Sequence, residues 1–216
     1  MSTHQKIATN ENKQNENMQL YYKLHAKIYD ATRWTFLFGR IGLVQELKKR
    51  IPNPGRILEI GCGTGYNLAR LAKAFPNAQL TGIDVSGDMI AKAKKNLKAY
   101  ADRTSFQEAP YMKGDTQFNN QIDIILFSYS LTMINPQWKD LIDQAVVDLK
   151  PGGVIAATDF HDSQFQWFKN HMGNNHVRMD GHLVPYMEER FETDLKKTPS
   201  AYLGVWEYFM YIGKKV

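Results

Sequence analysis

Arg56-Ile57-Leu58-Glu59-Ile60-Gly61-Cys62-Gly63-Thr64-Gly65-Tyr66-Asn67 is the stretch whose reading decides the fold. Its apolar run, Ile57, Leu58 and Ile60, is brief, branched and bounded by Pro54-Gly55 and by glycines. Such a run reads as a buried parallel strand. Gly61, Gly63 and Gly65 alternate after it, and from Tyr66 onward Leu68, Leu71, Ala72 and Phe75 recur at helical spacing. Strand, glycine turn and helix form the first half of a nucleotide-binding βαβ unit. The glycines allow a tight turn and close backbone approach to a ligand, and the helix N-terminus lies beside it.

Two acids sharpen this reading. Glu59 lies inside the strand's end, where it would repel a pyrophosphate but pair with an ammonium group. A second strand, Gln79-Leu80-Thr81-Gly82-Ile83-Asp84, ends in a carboxylate 19 residues after Gly65, the usual place for an acid that binds ribose hydroxyls. Glycine alternation alone is a weak signal. E-x-G-x-G-x-G followed by that spaced acid resembles the first motif and acidic strand end of the class I S-adenosylmethionine-dependent methyltransferases.

At 216 residues the chain fits one domain with a full-sized core, and 43% apolar with 23% charged residues is ordinary for a globular protein. No apolar run approaches the roughly 20 residues needed to cross a bilayer, and no signal-peptide core follows Met1, so a cytoplasmic address and no integral membrane contact are expected. Cys62, the single cysteine, cannot form an intrachain disulfide and reads as a small filler of the glycine turn. The net charge is +5, but the basic residues are scattered, and Lys92, Lys94, Lys95 and Lys98 read as the wet face of a helix. Nucleic-acid binding would need a basic patch tied to a reading element, so none is expected.

Residues 1–17 are polar and read as a disordered tail, leaving 18–216 as the domain, with a helical lid over 18–51 and an α/β core over 52–216. The lid is expected as two helices, the second from Trp34 to Arg50 with Phe38, Ile41, Leu47 and Ile51 inward. Ser86 reads as an N-cap with Asp88 in the first turn of a helix reaching about Tyr100. Strands are expected at Thr104–Gln107, Asp123–Ser128 and Val154–Asp159, with a helix from Trp138 to Leu149 and a sharp turn at Pro151-Gly152-Gly153. Strands alternating with helices argue for a doubly wound α/β sheet. Phe191–Lys197 and Glu207–Gly213 have no helix between them and read as an antiparallel hairpin, the closure the methyltransferase resemblance implies. The expected architecture is a mostly parallel, seven-stranded, Rossmann-like sheet.

Ligands of such sheets sit beyond the carboxyl ends of the strands, which gathers Gly61–Asn67, Asp84–Met89, Glu108–Pro110, Ser128–Met133 and Asp159–Asp162 on one rim. The resemblance implies S-adenosylmethionine as cofactor, with Gly61, Gly63 and Gly65 along the methionyl portion and Asp84 on the ribose. It places Met89 on the adenine, Glu108 on the adenine's exocyclic amine, and Glu59, Asn67 and the Ser128 carbonyl near the amino-acid end. His161 follows a strand end on this rim and is the first candidate for a base. His171, His176 and His182 are too irregular for a metal site, and Ser128 stands where the metal-dependent catechol-type enzymes carry an acid, so no metal is expected.

The segment Tyr22 to Arg40, with Ser128-Tyr129-Ser130-Leu131-Thr132-Met133-Ile134, resembles the betaine-lipid N-methyltransferases that act on a homoserine headgroup. That likeness implies Tyr22, Tyr29 and Arg40 near cofactor or substrate, Tyr29 as a catalytic candidate beside His161, and Tyr129 as an aromatic contact for the acceptor. Phe160 to Val184 departs from it, being polar, and looks more like the methyltransferases that act on the imidazole of 5-thiohistidine in ovothiol synthesis. Arg178 would then hold a carboxylate, while Asn67, His161 or His176 orients the ring. The reading is N-methylation of a small amino-acid-like acceptor, with the thiohistidine type ahead of the lipid headgroup and a non-catalytic cofactor-binding protein as the alternative class.

Overall fold

The computed structural model describes residues 36–134, 136–174 and 176–216. The tail 1–17, the first lid helix with Tyr22 and Tyr29, and Trp34 lie outside the described residues. Leu37–Val216 forms one unit.

Strands β1 (Arg56–Ile60), β2 (Gln79–Asp84), β3 (Thr104–Glu108), β4 (Ile122–Ser128) and β5 (Leu149–Phe160) pair in parallel in the order β3-β2-β1-β4-β5. The sheet continues antiparallel through β8 (Trp206–Lys214) to β6 (Glu192–Lys197), and the two-residue β7 (Ser200–Ala201) pairs with β8. This matches the expected doubly wound sheet with its closing hairpin. Neighbouring residues of a strand point to opposite faces, and here both faces are apolar because helices cover both. Ile57, Ile124 and Ala156 pack with α1 (Arg40–Arg50), α2 (Tyr66–Ala74) and α3 (Gly87–Asn96). Leu58, Ile125 and Ala157 pack on the other side with α4 (Trp138–Asp148) and α6 (Leu183–Glu188).

Four local expectations need correction. The second lid helix starts at Arg40, because Gly39 adopts φ 81° ahead of it; Leu43, Val44 and Leu47 face inward and Ile41 faces out. The helix after Ser86 ends at Asn96 and a short 3₁₀ turn, Lys98–Tyr100, completes it. Pro151-Gly152-Gly153 is a bulge within β5 and not a turn before it: pairing jumps from Ile122–Leu149 to Ile124–Val154, with Gly152 at φ 76°. Residues 160–184 are less polar in space than in sequence. They form α5 (Gln166–Asn174) and lead into α6, and Phe168, Val177, Met179 and Leu183 are buried.

Candidate active site

The strand order reverses between β1 and β4, and the crevice beyond their carboxyl ends is where such sheets bind ligands. The glycine turn lies at its floor. Gly61 has φ 70°, and a Cβ built on it would come 2.8 Å from the Ser130 Cβ, so only glycine lets the β1 turn lie against the β4 loop. The turn is fastened to β2 by Asp84: the Gly63 amide donates to Oδ2 at 2.8 Å and the Ser86 amide to Oδ1 at 3.0 Å. Ser86 caps α3, accepting from the Met89 amide at 3.4 Å, and Met89 is buried behind it. Glu108 is in register with Asp84 on β3, and its carboxylate lies against Gly87.

At the crevice's other end Asn67, in the first turn of α2, donates to Glu59 Oε1 at 2.7 Å, and both residues are buried. Asn67 Oδ1, Ser128 Oγ and Ser130 Oγ are buried without a hydrogen-bond partner among the described residues. Unsatisfied acceptors of this kind cost about 1–3 kcal/mol each, and together they fit a ligand bearing an ammonium group. Arg40 is buried too: its Nε donates to the Leu37 carbonyl at 3.1 Å and its guanidinium stacks on Tyr66 at 4.0 Å, with Arg70 on the other face at 3.5 Å. The Cys62 thiol is pushed well up by burial and by the Glu59 and Asp84 carboxylates, which removes it as a nucleophile.

The β4 loop carries Tyr129 at φ 55°, a rare setting for a bulky residue. Its hydroxyl donates to the Phe38 carbonyl at 2.9 Å and its ring meets Phe160 edge-on at 4.9 Å. Burial raises its phenol, which therefore stays protonated at neutral pH. The loop is tied to β5 by Asp159, which accepts from the Thr132 amide at 3.2 Å, the Thr132 hydroxyl, and the Phe160 amide at 2.8 Å. Burial lifts this carboxyl to about 6 against those three donors.

His161 follows Asp159 by two residues. Its amide donates to the Glu207 carbonyl at 2.8 Å, its ring lies edge-on to Phe209 at 6.2 Å, and its Nδ1 is buried with no partner among the described residues. His176, at φ 63°, and Arg178 are exposed, and Arg178 is ion-paired to Asp180 at 2.7 Å. Among the described residues no three His, Cys, Asp or Glu side chains group as metal ligands, and no helix is long and apolar enough to cross a membrane.

The sequence puts Ser130 and Thr132 in the loop Ser128–Met133 and Asp159 in Asp159–Asp162, both on the rim, and leaves His182 without a partner. The bonds from Thr132 to Asp159 and the Asp180–His182 contact are what it does not signal.

Residues 57–153 match a family model described as a methyltransferase domain. Over 164 residues the chain is 31% identical to the ubiquinone/menaquinone biosynthesis C-methyltransferase of Geotalea daltonii, covering 72% of this chain and 68% of that one. The chain belongs to the class I S-adenosylmethionine-dependent methyltransferases. This methyltransferase is also 34% identical over 146 residues to the malonyl-[acyl-carrier protein] O-methyltransferase of Priestia megaterium, covering 66% of this chain and half of that relative's length. Among solved structures it superposes on the 1,6-didemethyltoxoflavin-N1-methyltransferase of Burkholderia thailandensis with TM-score 0.71, 14% identity and coverage of 94% and 90%. The N-methyltransferase NodS from Bradyrhizobium japonicum gives TM-score 0.66 at 20% identity, with coverage of 82% and 85%. These two likenesses carry the fold. S-adenosylmethionine is the family's cofactor, and the buried carboxylate, amide and hydroxyl oxygens of the crevice suit its ammonium end.

Proposed function

We propose that this chain transfers a methyl group to a nitrogen of a small amino-acid-like acceptor, with the imidazole of 5-thiohistidine as the leading acceptor. The observation that carries the reading is His161: a buried ring nitrogen with no partner among the described residues, at the end of β5 on the cofactor rim. It suits an acceptor that brings an N–H. Bound S-adenosylmethionine supplies an already activated methyl group, so the residues need to align the acceptor, exclude water and receive a proton.

In this reading Glu59, Asn67 and the Ser128 carbonyl hold the cofactor's amino-acid end, and Gly61, Gly63 and Gly65 lie along it. Asp84 takes the ribose, Met89 and Glu108 the adenine, and Arg40 with Tyr22 the lid side. His161 and Tyr29 meet the acceptor's proton, Tyr129 walls the pocket, and Asn67 and His176 orient the ring. Arg178 gives Nε and Nη2 to Asp180 and keeps further N–H groups for a substrate carboxylate.

A lipid headgroup is the second reading, favoured by the exposed Phe165, Trp167, Tyr202 and Leu203 on segments flanking the ends of β5 and β8. A mass-spectrometric competition decides between them. Protein and S-adenosylmethionine are offered 5-thiohistidine, histidine and diacylglyceryl-homoserine micelles together. One methyl on thiohistidine supports the first reading; stepwise methylation of the homoserine amine replaces it with the second. Cofactor binding with no S-adenosylhomocysteine formed from any of them defeats both and leaves a non-catalytic binding protein.

A further inference from the structure

The loop before α6 brings a second imidazole to the same rim. His182 packs edge-on against Trp138, 4.6 Å between centroids, and its side chain is only 10% exposed. Its Nδ1 contacts Asp180 Oδ1, while Asp180 Oδ2 accepts from Arg178 Nε and Nη2, each at 2.7 Å. A carboxylate on one ring nitrogen fixes the tautomer that donates to it. The lone pair is therefore on Nε2, which is buried and has no partner among the described residues. Gly181, at φ 69°, turns this loop back onto β5: its amide donates to the His161 carbonyl at 2.9 Å, and a Cβ built on it would sit 3.3 Å from the His161 ring. Two imidazoles, each with one buried nitrogen lacking a partner among the described residues, thus flank one glycine at the end of β5. Of these two imidazoles, His182 is the one held by a carboxylate, that of Asp180.

We propose that His182, oriented by Asp180, is a further acceptor-contacting residue of this site and takes up the proton displaced when the acceptor nitrogen is methylated. The inference rests on the N-methylation reading and adds His182, beside His161, as the group on which the displaced proton comes to rest. The acceptor's lone pair forms the bond to the methyl carbon as the carbon–sulfur bond breaks and its electron pair stays on sulfur. The proton, carried by the same nitrogen in an amine or by the second ring nitrogen in an imidazole, passes to His182 Nε2. The resulting imidazolium is held by Asp180, whose half-exposed carboxylate leads to solvent. Burial holds His182 below the ordinary histidine range, with Arg178 and His161 acting in the same direction and Asp180 against them. Lys139 lies over the far ring, 5.4 Å from the Trp138 centroid. At neutral pH the ring is an unprotonated base, as the step requires.

The test begins with nitrogen-15-labelled histidine in the full chain loaded with S-adenosylhomocysteine, read by long-range proton–nitrogen correlation at neutral pH. His182 should show Nδ1–H with a bare Nε2, the Nε2 signal should move on adding imidazole as an N–H probe, and Asp180→Asn should mix the tautomers. A proton on Nε2, or no response to imidazole, overturns the assignment. In the second arm, with 5-thiohistidine, His182→Asn should slow turnover about 100-fold and remove the acid limb of the pH profile with cofactor affinity unchanged. An unaltered rate and profile overturns it equally. Should the wild-type chain leave thiohistidine unmethylated, the acceptor reading falls, and the tautomer and imidazole response still decide the role of His182.

Discussion

Asn67 Nδ2 donates to Glu59 Oε1 at 2.7 Å, joining the end of β1 to the first turn of α2 beneath the glycine turn. Two polar side chains this deep are stable only with partners, and the pair leaves Asn67 Oδ1 buried without one among the described residues. The charge on Glu59 can be separated from its hydrogen bond. Glu59→Gln keeps an acceptor for Asn67 while losing the negative charge. Cofactor affinity, measured by calorimetry, should fall about 10- to 100-fold, the scale of one charge-assisted hydrogen bond, with little change in melting temperature. An unchanged Kd would remove Glu59 from the ammonium site.

Asp84 has a structural duty beside its proposed one, since the carboxylate proposed for the ribose accepts from the Gly63 and Ser86 amides. Asp84→Ala should therefore weaken cofactor binding about 100-fold or more and loosen the turn. Asp84→Asn should keep part of the turn and lose less. Calorimetry paired with amide exchange at Gly63 checks both. Equal affinities in wild type and Asp84→Ala would sink the ribose assignment.

Much of this was legible beforehand, and the reason is local. Ile57, Leu58 and Ile60, and Ile124–Phe127, are apolar on both faces, as a sheet covered twice requires, and the glycine turn with the spaced Asp84 marks the first βαβ unit of that sheet. What escaped reading depends on tertiary contact. Pro151-Gly152-Gly153 has a turn's composition, yet pairing of β4 with residues on either side carries β5 through it as a bulge. The stretch holding Phe168, Val177, Met179 and Leu183 alternates polar and apolar residues irregularly, because it folds over the strand ends and not along the sheet. His182 looked like one scattered histidine among several. Only the return of Gly181 onto His161 makes it part of the site.

Gly61 tests the contact between the two loops. Gly61→Ala would require a positive φ, costing about 1–2 kcal/mol, and would press Cβ to 2.8 Å from the Ser130 Cβ. Loss of about 2–4 kcal/mol in urea unfolding is expected from strain and overpacking together. Adding Ser130→Gly should recover the steric part and leave the backbone part. Full recovery, or none, would show that one of the two causes is absent.

Asp159 gives the pH dependence its sign. Its folded-state carboxyl titrates at about 6 against an ordinary 3.8, so the native chain holds that proton more tightly than the unfolded one. The resulting stabilisation is fully present below about pH 4 and is lost as the pH rises through about 6. Asp159→Asn removes the titration while keeping an oxygen for Thr132. Relative to wild type, the variant should gain stability from pH 4 to pH 7 by about 3 kcal/mol at most, read from urea midpoints of both proteins across that range. A difference that stays flat would mean that the Thr132 and Phe160 donors fully offset the burial of the charge. A difference running the other way would mean that they outweigh it, and Asp159 would then be an ionised anchor of the β4 loop at every pH the enzyme meets.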